Sequence, residues 1–131
     1  MFVKEVMKLS VKKITSESTV LDAARKMAQS NIGCLVVFDD RLLGIITERD
    51  ILNKVVAEGK EPDKVRVRDV MTRNVITITA DKDMEEASDL MARYRIKRLP
   101  VVFGNDVIGI ITSTDVVAVL SKVVKEIYSQ Q

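Results

Sequence analysis

The sequence predicts a mixed α/β (α+β) fold built from two β-α-β-β-α repeats. Three observations carry that expectation. The chain matches itself over nearly its whole length, and short β-branched runs alternate with segments of helical period. Its 131 residues suit one ordinary domain, or two small ones that need each other.

The duplication comes first, because it sets the frame for every other element. Val3-Lys4-Glu5-Val6-Met7 aligns with Val67-Arg68-Asp69-Val70-Met71 at an offset of 64 positions. At the same offset Val11, Ile14, Thr15, Ala23, Met27, Ile32, Leu35 and Val37 meet Val75, Ile78, Thr79, Ala87, Met91, Ile96, Leu99 and Val101. One residue is then inserted in the second copy. Phe38 meets Phe103, Gly44-Ile45-Ile46-Thr47 meets Gly109-Ile110-Ile111-Thr112, and Asp50 meets Asp115. The seam lies near Gly59 and Pro62, two turn residues. The repeats are accordingly 1–60 and 61–131. A single copy of ~60 residues would bury only about 60% of its surface, so the two are expected to form one structural unit.

Each copy reads the same way from its start. Residues 11–15 and 75–79 are β-branched runs and predict strands. Thr19 and Asp22 form a capping-box pattern ahead of Val20, Ala23, Ala24 and Met27, which recur at helical spacing. Asp83 and Glu86 play those parts in copy two, ahead of Met84, Ala87, Leu90, Met91 and Tyr94. Two strands follow in each copy, 34–38 with 42–46 and 99–103 with 107–111, each pair joined by a tight turn. A closing helix is expected from 48 to about 58 and from 113 to about 128. In the last helix Val116, Val117, Leu120, Val123, Val124 and Ile127 form a wide apolar stripe. That stripe fits packing on its own sheet or a homodimer contact.

Composition removes several classes of function. Hydrophobic residues are 47% and charged residues 31%, against disorder or a fibre. No apolar run approaches the ~18 residues of a membrane span, and Met1 to Glu5 lack the apolar stretch of a secretion signal. A soluble cytosolic protein without a membrane partner is the expectation. The net charge of +2 is too small to argue for a nucleic-acid partner from bulk charge. There is no histidine, and Cys34 is the sole cysteine. Intrachain disulfides, zinc fingers, Ser-His-Asp and Cys-His catalysis are thereby excluded, while a carboxylate-only Mg²⁺ site stays open. No metal or cofactor is called for, and no catalytic residue is nominated.

The repeated motif is Gly-Ile-Ile-Thr-x-x-Asp, at Gly44 to Asp50 and Gly109 to Asp115. Each glycine permits close backbone approach beside its strand. Thr47 and Thr112 sit where an N-cap belongs, three residues before Asp50 and Asp115, so the pattern is a capping box in outline. A helix N-terminus is also a natural phosphate site. A carboxylate beside it suits ribose hydroxyls, as in dinucleotide sites. Between these landmarks copy one has Arg49, able to pair with phosphate, and copy two has Thr114, which offers only a hydroxyl. Arg93, Arg95, Lys97 and Arg98 form a basic cluster just before Leu99 and Pro100. Gly33 and Cys34 stand at the matching positions of copy one. The basic residues fit a solvated face or a phosphate site, and Cys34 reads as a small buried residue.

Together with the Val-Met pairs before each first strand and Leu99-Pro100-Val101-Val102, the repeated motif resembles a tandem pair of CBS domains, the family named after cystathionine β-synthase. The resemblance covers essentially the whole chain. It implies two repeats packed through their sheets with pseudo-twofold symmetry, often associating into dimers. It implies a non-catalytic regulatory module binding adenine nucleotides (AMP, ADP or ATP), with S-adenosylmethionine as a further candidate, in clefts between the repeats. In that reading Asp50 and Asp115 bind ribose, while Thr47, Arg49, Thr112, Thr114, Lys97 and Arg98 surround phosphates. Ile14 and Ile78 would wall the adenine, and Pro100 belongs to the same ligand-binding set. An unidentified regulated protein is a further expected partner. The competing readings are a ligand-free dimerisation module and a single-stranded nucleic-acid binder working through the cluster from Arg93 to Arg98.

Overall fold

A computed structural model describes residues 1–130. The chain divides into two compact units, Val11–Val75 and a second made of Met1–Ser10 with the chain from Ile76 onward. The sequence boundary at 60/61 marks the duplication, and the compact units are displaced from it. The opening segment of each copy packs in the unit built from the rest of the other copy, because that is where its apolar residues are buried.

In the Val11–Val75 unit, strands β1 (Lys13–Ile14), β2 (Cys34–Phe38) and β3 (Leu42–Thr47) form a sheet in the order β1-β2-β3. The first strand is shorter than the β-branched run at 11–15 predicts. Only Lys13 and Ile14 pair in parallel with Val36 and Val37. β2 and β3 are antiparallel, with Cys34 opposite Thr47. Helix α2 (Val20–Ser30) starts at the predicted box: Thr19 Oγ1 accepts the Asp22 N–H, and Asp22 returns a carboxylate to the Thr19 N–H at 3.1 Å. It ends at Asn31, left-handed at φ 52°, a conformation asparagine tolerates better than most residues.

The closing helix of this unit departs from the expected helix ending near 58. Helix α3 (Glu48–Ile51) passes into a π-helical turn over Leu52–Val56. A 3₁₀ turn at Pro62–Lys64 and the short helix α4 (Val67–Val70) follow. The core gathers Ile14, Val20, Met27, Leu35, Val37, Ile46 and Val55 with Val67, Val70 and Met71.

The other unit repeats the plan. Helix α1 (Val3–Val6) precedes β4 (Ile78–Thr79), α5 (Met84–Tyr94), β5 (Arg98–Phe103), β6 (Asp106–Thr112) and α6 (Ser113–Ser129). The sheet order is β4-β5-β6. Here too the first strand shrinks to the two residues that pair with Val101 and Val102. Asp83 caps α5 by accepting the Glu86 N–H at 3.0 Å. Val3 is fully buried and belongs to the same cluster as Ile78, Ala87, Leu99, Val101 and Ile111. The N-terminal segment is thus part of this unit's core.

Helix α6 settles part of the apolar stripe. Val116 packs against the core, whereas Val117 is 66% and Leu120 61% exposed, with Val123, Val124 and Ile127 also exposed. Packing on its own sheet therefore accounts for the start of the stripe only. No helix among the described residues is long and apolar enough to cross a membrane.

Candidate functional site

The site begins where a strand turns into a helix, once in each unit. Thr47 is extended (φ −119°, ψ 164°) and Glu48 opens the helix. The Thr47 hydroxyl accepts the Asp50 N–H at 3.2 Å and donates to Asp50 Oδ2 at 3.1 Å, while the Thr47 N–H donates to the same oxygen at 3.0 Å. Thr112 and Asp115 reproduce this with distances of 3.3, 3.0 and 2.9 Å. Both boxes predicted from Thr-x-x-Asp are formed. Each aspartate is only 8% exposed. Oδ2 is saturated by the cap, so Oδ1 is the oxygen left for other partners.

The first helical N–H groups are also partly used. Glu48 donates to the Gly33 carbonyl at 3.0 Å and Ser113 to the Lys97 carbonyl at 2.9 Å. The amides of Arg49 and Thr114 are the first-turn donors that neither the box nor these strand carbonyls engage.

The glycine of each motif has a steric reason. Thr72 lies along β3, exchanging both backbone hydrogen bonds with Ile45 at 2.8 and 3.0 Å. A Cβ at Gly44 would meet the Thr72 carbonyl oxygen at 2.5 Å and Met71 Sδ at 3.0 Å. In the other unit Lys8 pairs with Ile110 in the same way. A Cβ at Gly109 would meet Met7 Sδ at 2.7 Å and the Lys8 carbonyl at 3.1 Å. The Val-Met pair and the Gly-Ile-Ile-Thr strand are therefore two halves of one contact.

The basic cluster is divided by the strand register. Arg98 opens β5 directly opposite Thr112, half-buried, and the exposed Lys97 is tied by its carbonyl to the first residue of α6. The backbone thus brings both positions to the Thr112/Asp115 turn. Gly33 and Cys34 hold the equivalent places at the Thr47/Asp50 turn. Arg49 and Thr114 are exposed on the first helical turn of their units. None of Arg49, Lys97 and Arg98 has an acidic partner among the described residues. Ile14 and Ile78 are buried core residues at 7% and 5% exposure, and Pro100 is fully buried.

Two lysines were not nominated from sequence. Lys54 Nζ lies 3.0 Å from Asp50 Oδ1, and Lys8 Nζ lies 3.6 Å from Asp115 Oδ1. The Asp50 to Lys54 spacing of four on a helix is a signal that could have found the first pair. Lys8 is far from Asp115 in the chain, and no local pattern links them. A cavity of about 410 Å³ opens beside Asp115, between α1 and α6, with Glu5, Val6, Val119 and Lys122 in its wall. A larger one of about 530 Å³ lies between α2 and the helical segment after Thr47, lined by Met27, Ile32, Ile51 and Leu52. Its wall is mainly apolar, with Asn31 and Glu48 at its polar part, and does not include Asp50.

A family model described as CBS domain matches the chain twice, over residues 3–57 and 67–122. The chain belongs to the CBS-domain family. CBS-domain pairs are regulatory ligand-binding modules and are generally non-catalytic. An uncharacterised protein of Methanopyrus kandleri is 44% identical over 104 residues, 77% of this chain, and this chain spans 53% of that relative's length. Among solved structures, a CBS domain pair in complex with 5′-methylthioadenosine and S-adenosyl-L-methionine superposes with a TM-score of 0.84 at 31% identity, covering 93% of this chain and 97% of its own. A hexameric CBS-CP12 protein from bloom-forming cyanobacteria gives 0.83 at 32% identity, covering 89% of this chain and 66% of that one. The two three-stranded sheets with flanking helices are thus the fold of CBS pairs.

Proposed function

We propose that this CBS pair is a cytosolic, non-catalytic regulatory module that binds adenosine compounds at its two strand-to-helix turns, with AMP, ADP or ATP as the leading ligands and S-adenosylmethionine as a further candidate. The observation that carries the reading is the same in both units. A nearly buried aspartate caps the helix with one carboxylate oxygen and turns the other to a lysine, the place a ribose hydroxyl would take. A ribose diol presents two hydroxyl donors, and a phosphate next to it would meet the helix N-terminus. Asp50 and Asp115 are the ribose acceptors in this reading. Thr47, Arg49, Thr112, Thr114, Lys97 and Arg98 surround phosphate, Ile14 and Ile78 wall the adenine, and Pro100 belongs to the same ligand-binding set. The related pair solved with 5′-methylthioadenosine and S-adenosyl-L-methionine supports an adenosine ligand.

A homodimer acting on a separate regulated protein completes the proposal. The exposed stripe on α6 favours it, since contiguous apolar surface of this kind marks interaction sites.

The test is calorimetric titration of the full chain with AMP, ADP, ATP and S-adenosylmethionine, backed by thermal melts. A ligand at about 100 times its dissociation constant adds roughly 2.7 kcal/mol of stability. Absence of binding and of any melting shift with all four ligands rejects the reading.

A further inference from the structure

The two turns share one capping box but carry different cations. At Asp50 the cation is Lys54, which also donates to the Val70 carbonyl oxygen at 2.9 Å. It is held at two points, 3.0 Å from a carboxylate that is 10% exposed. At Asp115 the cation is Lys8, at 3.6 Å, with its side chain 63% exposed and no second side-chain contact among the described residues. Oδ1 is the acceptor a ribose diol needs, and a lysine on it competes with the sugar hydroxyls. Releasing Lys54 gives up two interactions, one of them close. Releasing Lys8 gives up one loose, mostly solvated ion pair, which is worth little. The strand ends differ in the same sense. Lys97 and Arg98 stand at the Asp115 turn, where the other turn has uncharged Gly33 and Cys34 and carries a single arginine, Arg49, on its first helical turn.

Resting on the reading of these turns as adenosine sites, we infer that the Asp115 turn is the primary site and takes a phosphorylated nucleoside, with Lys8 passing from the carboxylate to the phosphate. Lys54 holds the Asp50 turn closed. Lys8 is thereby a specificity residue, favouring a nucleotide over the uncharged nucleoside. Occupancy of the site is also linked to the N-terminal segment that carries Lys8.

The experiment is calorimetry on the full chain with AMP and with adenosine, for the parent, Lys8→Met and Lys54→Met. The parent should bind one AMP per chain in its tighter phase. Lys54→Met should raise that stoichiometry toward two. Lys8→Met should lower the affinity for AMP about tenfold relative to adenosine, the scale of one charge-assisted contact. Lys54→Gln, which removes the charge and keeps a donor for Val70, gives the same readout if the methionine variant folds poorly. Two equal AMP sites in the parent, unchanged in the Lys54 variants, overturn the inference and leave the adenosine reading standing. So does an equal loss of AMP and adenosine affinity in Lys8→Met, which makes Lys8 a structural tie. No binding by any of these proteins overturns both.

Discussion

Gly44 lies beneath the backbone of Thr72 so closely that a methyl group on it would come within 2.5 Å of the Thr72 carbonyl oxygen. That contact joins the Val-Met segment to the strand that delivers Thr47 and Asp50. Gly109 is placed alike, but its nearest neighbour is the Met7 thioether rather than backbone. Methionine yields where a backbone carbonyl does not. Gly44→Ala should therefore cost about 1–3 kcal/mol or more, and Gly109→Ala distinctly less. Thermal melts of the two variants compare them directly. An equal loss contradicts the steric account.

The surface carboxylates make acid stability a second test. The Ser16 hydroxyl and then its N–H hold the Asp39 carboxyl below its ordinary value, with the hydroxyl contact at 2.6 Å and the amide contact at 2.9 Å. The Thr19 N–H, followed by its hydroxyl, does the same for Asp22. A group whose folded pKa is depressed adds stability above its unfolded pKa, and that stability is lost as pH falls through the folded value. Unfolding free energy should hold from neutral pH down to about 4, the ordinary range for aspartate, and then decline. Asp39→Asn should show a shallower decline than the parent in urea titrations at pH 7 and pH 3. Parallel curves would remove Asp39 from the account.

Self-association has a definite surface to test. Val117, Leu120, Val124 and Ile127 recur at spacings of three and four on the exposed side of α6, as along a helix–helix seam. The parent should run as a dimer by light scattering at micromolar concentration, and Leu120→Glu with Val124→Glu should return the 14.7 kDa monomer. A parent of monomer mass refutes the dimer.

Phosphate recognition is testable at Arg98. Arg98→Ala should weaken AMP by about ten- to a hundredfold, the scale of a charge-assisted hydrogen bond, with a much smaller effect on adenosine. Calorimetry with both ligands measures the ratio. A ratio unchanged from the parent would place Arg98 outside the phosphate site.

Much of this arrangement was legible in the sequence, for identifiable reasons. The duplication, the helix starts at Thr19, Thr47 and Thr112, and the paired central strands all rest on local patterns, and local patterns were enough. The glycines mark sites of close approach in the sequence, but the approaching chain is invisible there, because Met71 and Met7 reach Gly44 and Gly109 through tertiary packing. The four-residue helices α1 and α4 leave almost no propensity signal in the sequence, since so short a helix is held by packing alone. The β-branched runs at 11–15 and 75–79 predict strands in the right places but too long, because only Lys13–Ile14 and Ile78–Thr79 pair with a neighbouring strand. Lys8 shows the limit most plainly. Its place beside Asp115 follows from its backbone pairing with Ile110, and no spacing along the chain encodes it.

The central claim is that Asp50 and Asp115 hold a ribose as well as cap a helix. Calorimetric titration of AMP into Asp50→Ala, Asp115→Ala and the double variant, with folding verified by circular dichroism, tests it most directly. Loss of a buried charge-assisted hydrogen bond to the sugar should cost about 1.5–3 kcal/mol, ten- to a hundredfold in affinity, with Asp115→Ala the more damaging single change. The double variant should be folded and lose measurable AMP binding. A folded double variant that binds AMP as tightly as the parent would show that the carboxylates are helix caps alone.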